Sequence, residues 1–552
     1  MRWGGPPART GWNARGGVHP DLHLRTLPLS LGGYLTCAPL YEKEERDIET
    51  ILKMRNEADE NTMTDIAAVY DVLVIGCGPG GFTAATQAAQ AGLRTACVDQ
   101  RASLGGTYLV DGAVPSKTLL DESYFYRLLQ QQELVEQRGV RLPYPRLDMQ
   151  AAQSALKRNI GRLSKVYKCE LSKNNVTVYK GTAEFTGPYC VEISQRGLGS
   201  FIVEARYIVV ATGSAVVIQC PGVVIDEDKI VSSDKALSLN YIPPRFSIIG
   251  GGTIGLEIAC IFNNFGSRVT IIESQSEICQ NMDDELACAT KTLLQSQGIV
   301  FLLNTRVQSA GTNAAGQLDV TLLNKLSKNT CVHHCDMLMV SIGRRPLLEG
   351  LNISKIGLDE RDFVDNVDEQ TQSLLKFPHI KPIGDVTLGP MLALKAEQQA
   401  TRAIQSILST DSISTSNCGF SPNVLYCQPQ IGWVGYTEQQ LISAHTPYQT
   451  GKVLFSQNVR YNTLLSQKEN DLIPAFIKVL VDSRSMKILG VHMINDDANE
   501  LLSQASMAVS LGLNAYDICK VPFPHPSLSE SFKQATQLAV ASGISPSVNV
   551  RE

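Results

Sequence analysis

The chain predicts an α/β fold containing two Rossmann-like, three-layer dinucleotide-binding domains, and three observations in the sequence predict it. A short branched apolar run, Tyr70-Asp71-Val72-Leu73-Val74-Ile75, meets a glycine-rich turn, Gly76-Cys77-Gly78-Pro79-Gly80-Gly81, and an Ala-rich stretch, Phe82–Ala91. The same pattern returns 174 residues later as Phe246–Ile249, Gly250-Gly251-Gly252-Thr253-Ile254-Gly255 and Leu256–Phe265. In both copies an acid closes the next strand 23 positions after the first glycine, Asp99 in one and Glu273 in the other.

Each piece has a physical reason. Continuous runs of branched apolar residues mark strands buried on both faces of a parallel sheet. Gly92 and Gly266 stand where a helix stops, and Leu93–Val98 and Arg268–Ile272 read as the returning strands. In G-x-G-x-x-G, Gly76 and Gly250 allow the tight turn, Gly78 and Gly252 let a pyrophosphate approach the backbone, and Gly81 and Gly255 let helix pack on strand. The uncapped helix N-terminus then offers its N–H groups to the phosphates. A carboxylate about 20 residues on accepts hydrogen bonds from the ribose. Two such sites in one chain point to a flavin and a nicotinamide, because hydride transfer needs a donor and an acceptor face to face. Glu273 favours a free 2′-hydroxyl, and no arginine follows it in Ser274–Met282, so NAD is expected rather than NADP.

Composition narrows the class. A formal net charge of −5 gives no electrostatic case for a nucleic-acid partner, and no apolar run approaches a membrane span. The 14 cysteines are scattered along a long chain, as in a reducing, intracellular compartment. Residues 1–69 stand apart. Their first forty carry Arg2, Arg9, Arg15 and Arg25 against the single acid Asp21, compatible with a mitochondrial presequence. A leader read as protein, with the start at Met54 or Met63 and a cytosolic location, is the alternative.

From Tyr70 to Gln537 the chain resembles the pyridine-nucleotide disulfide oxidoreductases, and among them the dihydrolipoyl dehydrogenase branch. Beyond the two glycine turns, the segments Leu104–Leu120, Ala211–Ser214, Ile342–Pro346, Gly384–Ala393, Gly432–Gly435 and His525–Phe532 carry the likeness in family order. The resemblance implies an FAD domain over 70–216, an NAD domain over 217–347, a central segment returning to FAD over 348–420, and an α+β dimerisation domain over 421–545. It implies FAD contacts at Asp99, Gly106, Thr107, Lys117, Ala183, Thr212, Gly213, Ser214, Asp385, Met391, Leu392, Ala393 and Leu394, the last where the family usually has His. It implies NAD contacts at Glu257, Glu273, Val307 and Gly343. Lys117 matches a lysine beside the flavin's reactive nitrogen, paired with Glu257; a fixed positive charge there stabilises reduced flavin. His525 with Glu530 matches the family's acid–base pair, which the partner subunit supplies, so a homodimer is implied.

One feature departs from the family. Its pattern G-G-T-C-x4-C-x-P-S-K reads here Gly105-Gly106-Thr107-Tyr108-Leu109-Val110-Asp111-Gly112-Ala113-Val114-Pro115-Ser116-Lys117. Tyr108 and Ala113 stand where the resemblance places the redox cysteines, and neither forms a thiolate. Phe523 replaces a second histidine, and Cys427-Gln428-Pro429-Gln430 departs from Thr-His-Pro-Glu. Cys77 and Cys97 read as small core residues. Cys331-Val332-His333-His334-Cys335 reads as a partly exposed strand, with a zinc site as the alternative, and no resident metal is expected. The expected function is an FAD-dependent NAD(H) oxidoreductase that delivers electrons to a small non-thiol acceptor. A non-catalytic flavin-binding scaffold or dimer partner, and a genuine dihydrolipoyl dehydrogenase, are the alternatives.

Overall fold

The computed structural model describes residues 66–137, 139–314, 316–408, 420–464 and 475–542. The Arg-rich leader and both alternative starts therefore lie outside the described residues. The first strand, β1 (Ile66–Ile75), begins inside the segment set aside as leader, because it pairs in parallel with Gly199–Val210 over nearly its whole length. It is followed by α1 (Pro79–Gln90) and β2 (Thr95–Asp99). Val72, Leu73 and Val74 are fully buried, each contributing roughly 1.5–3 kcal/mol relative to exposure. This first sheet has seven strands. Thr177–Lys180, β2, β1 and Gly199–Val210 run in order, the antiparallel strands Cys190–Gln195 and Thr182–Phe185 extend it, and Ile380–Pro382 pairs with Gly199–Val210.

The second unit repeats the plan as β3 (Arg245–Ile249), α2 (Thr253–Asn264) and β4 (Arg268–Ile272). Its five parallel strands follow the order Val300–Leu302, β4, β3, Met337–Val340, Ile230–Ser232. Both helices start three residues before the apolar stretches that announce them, since the turn glycines already belong to the first helical turn. A three-stranded antiparallel sheet carries Thr330–Cys335 at its edge. There Cys331 is exposed, Cys335 is buried, and His333 bonds Ser247 Oγ at 2.9 Å, so the segment is a sheet edge. Cys77 and Cys97 are buried in the core, as read from the sequence.

The C-terminal part is a five-stranded antiparallel sheet, Asn423–Leu425, Gln430–Gly435, Ile488–Asn495, Phe476–Asp482 and Tyr448–Leu454, packed against Ala498–Ser510 and Glu530–Ser542. An ion cluster fastens it to the second unit. Lys478 is buried, and its Nζ lies 2.5 Å from Asp283, 3.0 Å from Glu285 and 2.9 Å from Glu438. These three acids are the one grouping of metal-ligand atoms among the described residues, and the ammonium occupies their centre. Burial opposes the charge on Lys478, but the carboxylates more than offset it and raise its pKa. Burial likewise works against ionised Asp283, yet His492, Lys478 and the N–H of Glu438 hold its carboxyl below the ordinary range. Glu285 is lowered in the same way by Lys452 and Lys478 against its partial burial.

Removing the cation leaves three acids facing one another. Lys478→Met is expected to lower the unfolding free energy by roughly 3–5 kcal/mol in urea at neutral pH. Because the folded carboxyls are depressed, their stabilisation is present above ~pH 4 and is lost as pH falls further. The variant's stability should vary less over that acid range, and an unchanged pH profile would contradict the cluster's role.

Candidate active site

Two cavities open at the carboxyl ends of the parallel strands, where ligands of open α/β sheets bind. One, of about 490 Å³, is lined by the first glycine turn and by residues from both units; the other, of about 760 Å³, is lined by the second turn. The glycines show what each turn accommodates. At Gly76 (φ +98°) a Cβ would stand 2.3 Å from Ala211 O, and at Gly250 (φ +109°) 2.2 Å from Ser341 O. At the third glycines, Gly81 and Gly255, a Cβ would strike the carbonyls of Gly76 and Gly250 at 1.9 and 2.3 Å. These four are dictated by the chain's own packing. The second glycines are not: a Cβ on Gly78 would meet nothing closer than Gly106 Cα at 3.9 Å, and on Gly252 nothing within 4 Å. That free space lies at helix N-termini that carry no side-chain cap and no acid in the first turn. Both cradles fit a dinucleotide pyrophosphate.

The carboxylates are placed alike. Asp99 Oδ2 accepts the N–H of Cys77 at 2.7 Å, and Glu273 Oε2 accepts the N–H of Gly251 at 2.6 Å. In each copy this is the residue after the first glycine, so the acid at the end of the second strand holds the turn in shape.

The first cavity gathers most of the residues singled out for FAD. Gly76, Gly78, Asp99, Gly106, Thr107, Lys117, Ala183, Thr212, Gly213, Ser214, Asp385, Met391, Leu392 and Ala393 line it. Gly81 and Leu394 do not. Tyr108 and Ala113 line it too, at the short helix Gly106–Val110 and at the start of Ala113–Gln130. Cys77 is the one cysteine among the lining residues. One turn further along, Lys117 Nζ donates to both oxygens of Glu257 at 2.9 and 2.7 Å. The Tyr426 N–H donates to the same carboxylate at 3.0 Å, and the Tyr426 ring centroid lies 4.7 Å from the ammonium. Glu257 sits on α2 of the second unit and lines this cavity, where it pairs with Lys117, rather than the larger one. Ser214 Oγ and Asp385 Oδ2 are 2.7 Å apart.

The larger cavity is lined by Gly250, Gly252, Glu273, Val307 and Gly343, while Gly255 stands behind the turn. Arg344 lines both cavities and was not singled out in the sequence, although it lies in the quoted segment Ile342–Pro346. It donates to Ser214 Oγ at 2.9 Å, to Ser214 O at 3.0 Å and to Asp234 at 3.0 Å. Only the fold brings those partners together.

His525 and Glu530 lie away from both cavities of the single chain. His525 is 69% exposed, and its Nδ1 meets Glu530 Oε1 at 3.0 Å. The N–H of Ser527, then His525, holds the Glu530 carboxyl below its usual range. With Nδ1 engaged by the carboxylate, Nε2 is the ring atom left to accept a proton.

Comparison with known proteins agrees with this geometry. The model of the pyridine nucleotide-disulphide oxidoreductases matches residues 70–400, and that of their dimerisation domain matches 421–536. The chain is 80% identical to Increased recombination centers protein 15 of Saccharomyces cerevisiae, over 89% of this chain and 98% of that protein. It is 36% identical to the mitochondrial dihydrolipoyl dehydrogenase of Schizosaccharomyces pombe, over 85% of this chain and 90% of the relative. Among solved structures it is similar to the HOCl-induced flavoprotein disulfide reductase RclA of Escherichia coli, with a TM-score of 0.73 and 26% identity, covering 85% of this chain and 100% of that one. Among the described residues no helix is long and apolar enough to cross a membrane. Two glycine cradles, their paired acids and these matches together place the chain in the pyridine nucleotide-disulphide oxidoreductases, NAD-dependent flavoprotein enzymes that use FAD and NAD(H) and include the dihydrolipoyl dehydrogenases.

Proposed function

We propose that this protein takes hydride from NADH and passes electrons to a small acceptor that is not a disulfide, such as a quinone, a dye or oxygen. The observation that carries the reading is the lining of the smaller cavity, where the Lys117–Glu257 pair is complete and Tyr108 and Ala113 stand at the positions that resemble the family's thiols. Bound FAD supplies the two-electron acceptor for hydride. Lys117 brings its ammonium to that cavity, and Glu257 keeps the lysine oriented through both carboxylate oxygens. Asp385, tied through Ser214 to Arg344, is suited to hold a polyhydroxyl chain, and Asp99 to bind the ribose of the flavin's adenosine half. Glu273, with Val307 and Gly343 beside it, is suited to the free ribose hydroxyls of NADH. Tyr108 fills space a disulfide substrate needs and offers no sulfur for exchange.

The division into 70–216, 217–347, 348–420 and 421–545 follows this assignment. The dimerisation-domain match supports a homodimer in which exposed His525 and Glu530 reach the partner's cavity. The Arg-rich start and relatives named as mitochondrial support a mitochondrial location. A second reading, a flavin-binding scaffold without turnover, is supported by Tyr108 and Ala113 at the positions that resemble the family's thiols.

Anaerobic NADH added to the purified holoprotein should bleach the flavin's visible band, and Lys117→Met should slow the bleaching roughly 10²-fold. A band that never bleaches overturns the oxidoreductase reading and leaves the scaffold. Dihydrolipoamide should give no reduction of NAD⁺, and turnover with it would return the chain to thiol chemistry. Glu273→Ala should weaken NADH binding about 10-fold in a fluorescence titration, near the value of one charge-assisted hydrogen bond. Unchanged affinity would remove Glu273 from the nucleotide site.

A further inference from the structure

Behind the Lys117–Glu257 pair lies a contact between two thiols that neither the proposed hydride transfer nor the ion pair uses. Cys260 and Cys427 are 167 residues apart in sequence and both are buried, with their sulfurs 2.9 Å apart against about 2.05 Å in a disulfide. Cys260 stands on α2 three residues after Glu257, so the two side chains share a face of that helix. Cys427 directly follows Tyr426, whose N–H holds Glu257. The two segments therefore meet in adjacent rungs, a hydrogen bond to a carboxylate and a sulfur–sulfur contact.

We propose that Cys260 and Cys427 form a modification site, a thiol pair that hydrogen peroxide closes into a disulfide joining α2 to the turn between the first two strands of the C-terminal sheet. The chemistry balances as two steps. Peroxide oxidises one sulfur, an S–O bond forms as O–O breaks, and one water leaves with a sulfenic acid remaining. The second thiol attacks that sulfur, S–S forms as S–O breaks, and a second water leaves. Two sulfurs together lose two electrons and peroxide gains them, with both thiol protons ending in water. Burial, with Cys260 beside it, raises the Cys427 pKa, so little thiolate is present and closure follows sustained rather than brief exposure. Local opening admits the small uncharged oxidant, and the pair is already assembled when it arrives.

The test uses the full chain, folded, exposed to graded hydrogen peroxide, quenched, denatured, alkylated and digested without reductant. The expected product is a peptide containing Cys260 linked to one containing Cys427, with loss of both alkylatable thiols and a higher urea midpoint that dithiothreitol reverses. Exposed Cys288 and Cys331 report that oxidant reached the protein. Recovery of Cys260 and Cys427 both alkylated while those two are oxidised overturns the proposal, as does linkage of either to another cysteine. Cys427→Ser and, separately, Cys260→Ala should abolish the midpoint shift; a shift that persists in either variant also overturns it. The linked peptide in the unmodified chain decides the matter even where a variant fails to fold.

Discussion

A carboxylate withdrawn from water has to be met by a cation and by donors, and Glu257 meets that requirement with groups from two other parts of the chain. Lys117 comes from the helix Ala113–Gln130, Glu257 from the helix of the second turn, and the Tyr426 N–H from the turn between the first two strands of the C-terminal sheet. Leaving Lys117 out would strand the nearly buried Glu257 charge, which costs several kcal/mol. The pair therefore both sets the electrostatics of the smaller cavity and fixes the relative placement of the elements that build it. Arg344 makes a second tie of the same kind, joining Asp234 and Ser214 between the two cavities.

The sulfur-free turn needs its own support. Where a crosslink would join the positions of Tyr108 and Ala113, the described residues show a polar staple. Arg101 donates to Asp111 at 2.5 Å and to Thr107 Oγ1 at 3.2 Å, holding the start and end of the short helix Gly106–Val110. Gly112 comes so close to Thr107 that a Cβ would lie 2.8 Å from its carbonyl oxygen. This turn thus rests on local packing and the Arg101–Asp111 ion pair. In the structure its shape is held without a disulfide, as the proposed non-thiol chemistry requires.

What was legible in the sequence is what depends on near neighbours. The third glycines of the turns, the helices that follow them and the closing acids are set by contacts within about 25 residues, and α1, β2 and their repeats stand where those patterns put them. The early start of β1 was not legible, because residues 66–69 are held by pairing with a strand more than 130 positions away. Arg344, the Cys260–Cys427 contact and the Lys478 cluster were missed for the same reason: their partners are distant in sequence and no local period announces them. Glu257 was readable as a partner of Lys117 by resemblance, but its facing the smaller cavity follows from how α2 crosses the first unit.

The two glycine turns also separate what folding requires from what a ligand requires. Four of their six motif glycines are dictated by clashes with neighbouring carbonyls and would be needed in an empty fold. The remaining two, Gly78 and Gly252, face free space, and the chain's own packing supplies no reason for them. A side chain there would cover the N–H groups of an uncapped helix start, so the cost of substitution falls on whatever anion those groups receive. Asp99 and Glu273 repeat the division within a single side chain. Each gives one oxygen to the turn's backbone, while a carboxylate has about four lone-pair sites, enough to shape the turn and still receive ribose hydroxyls.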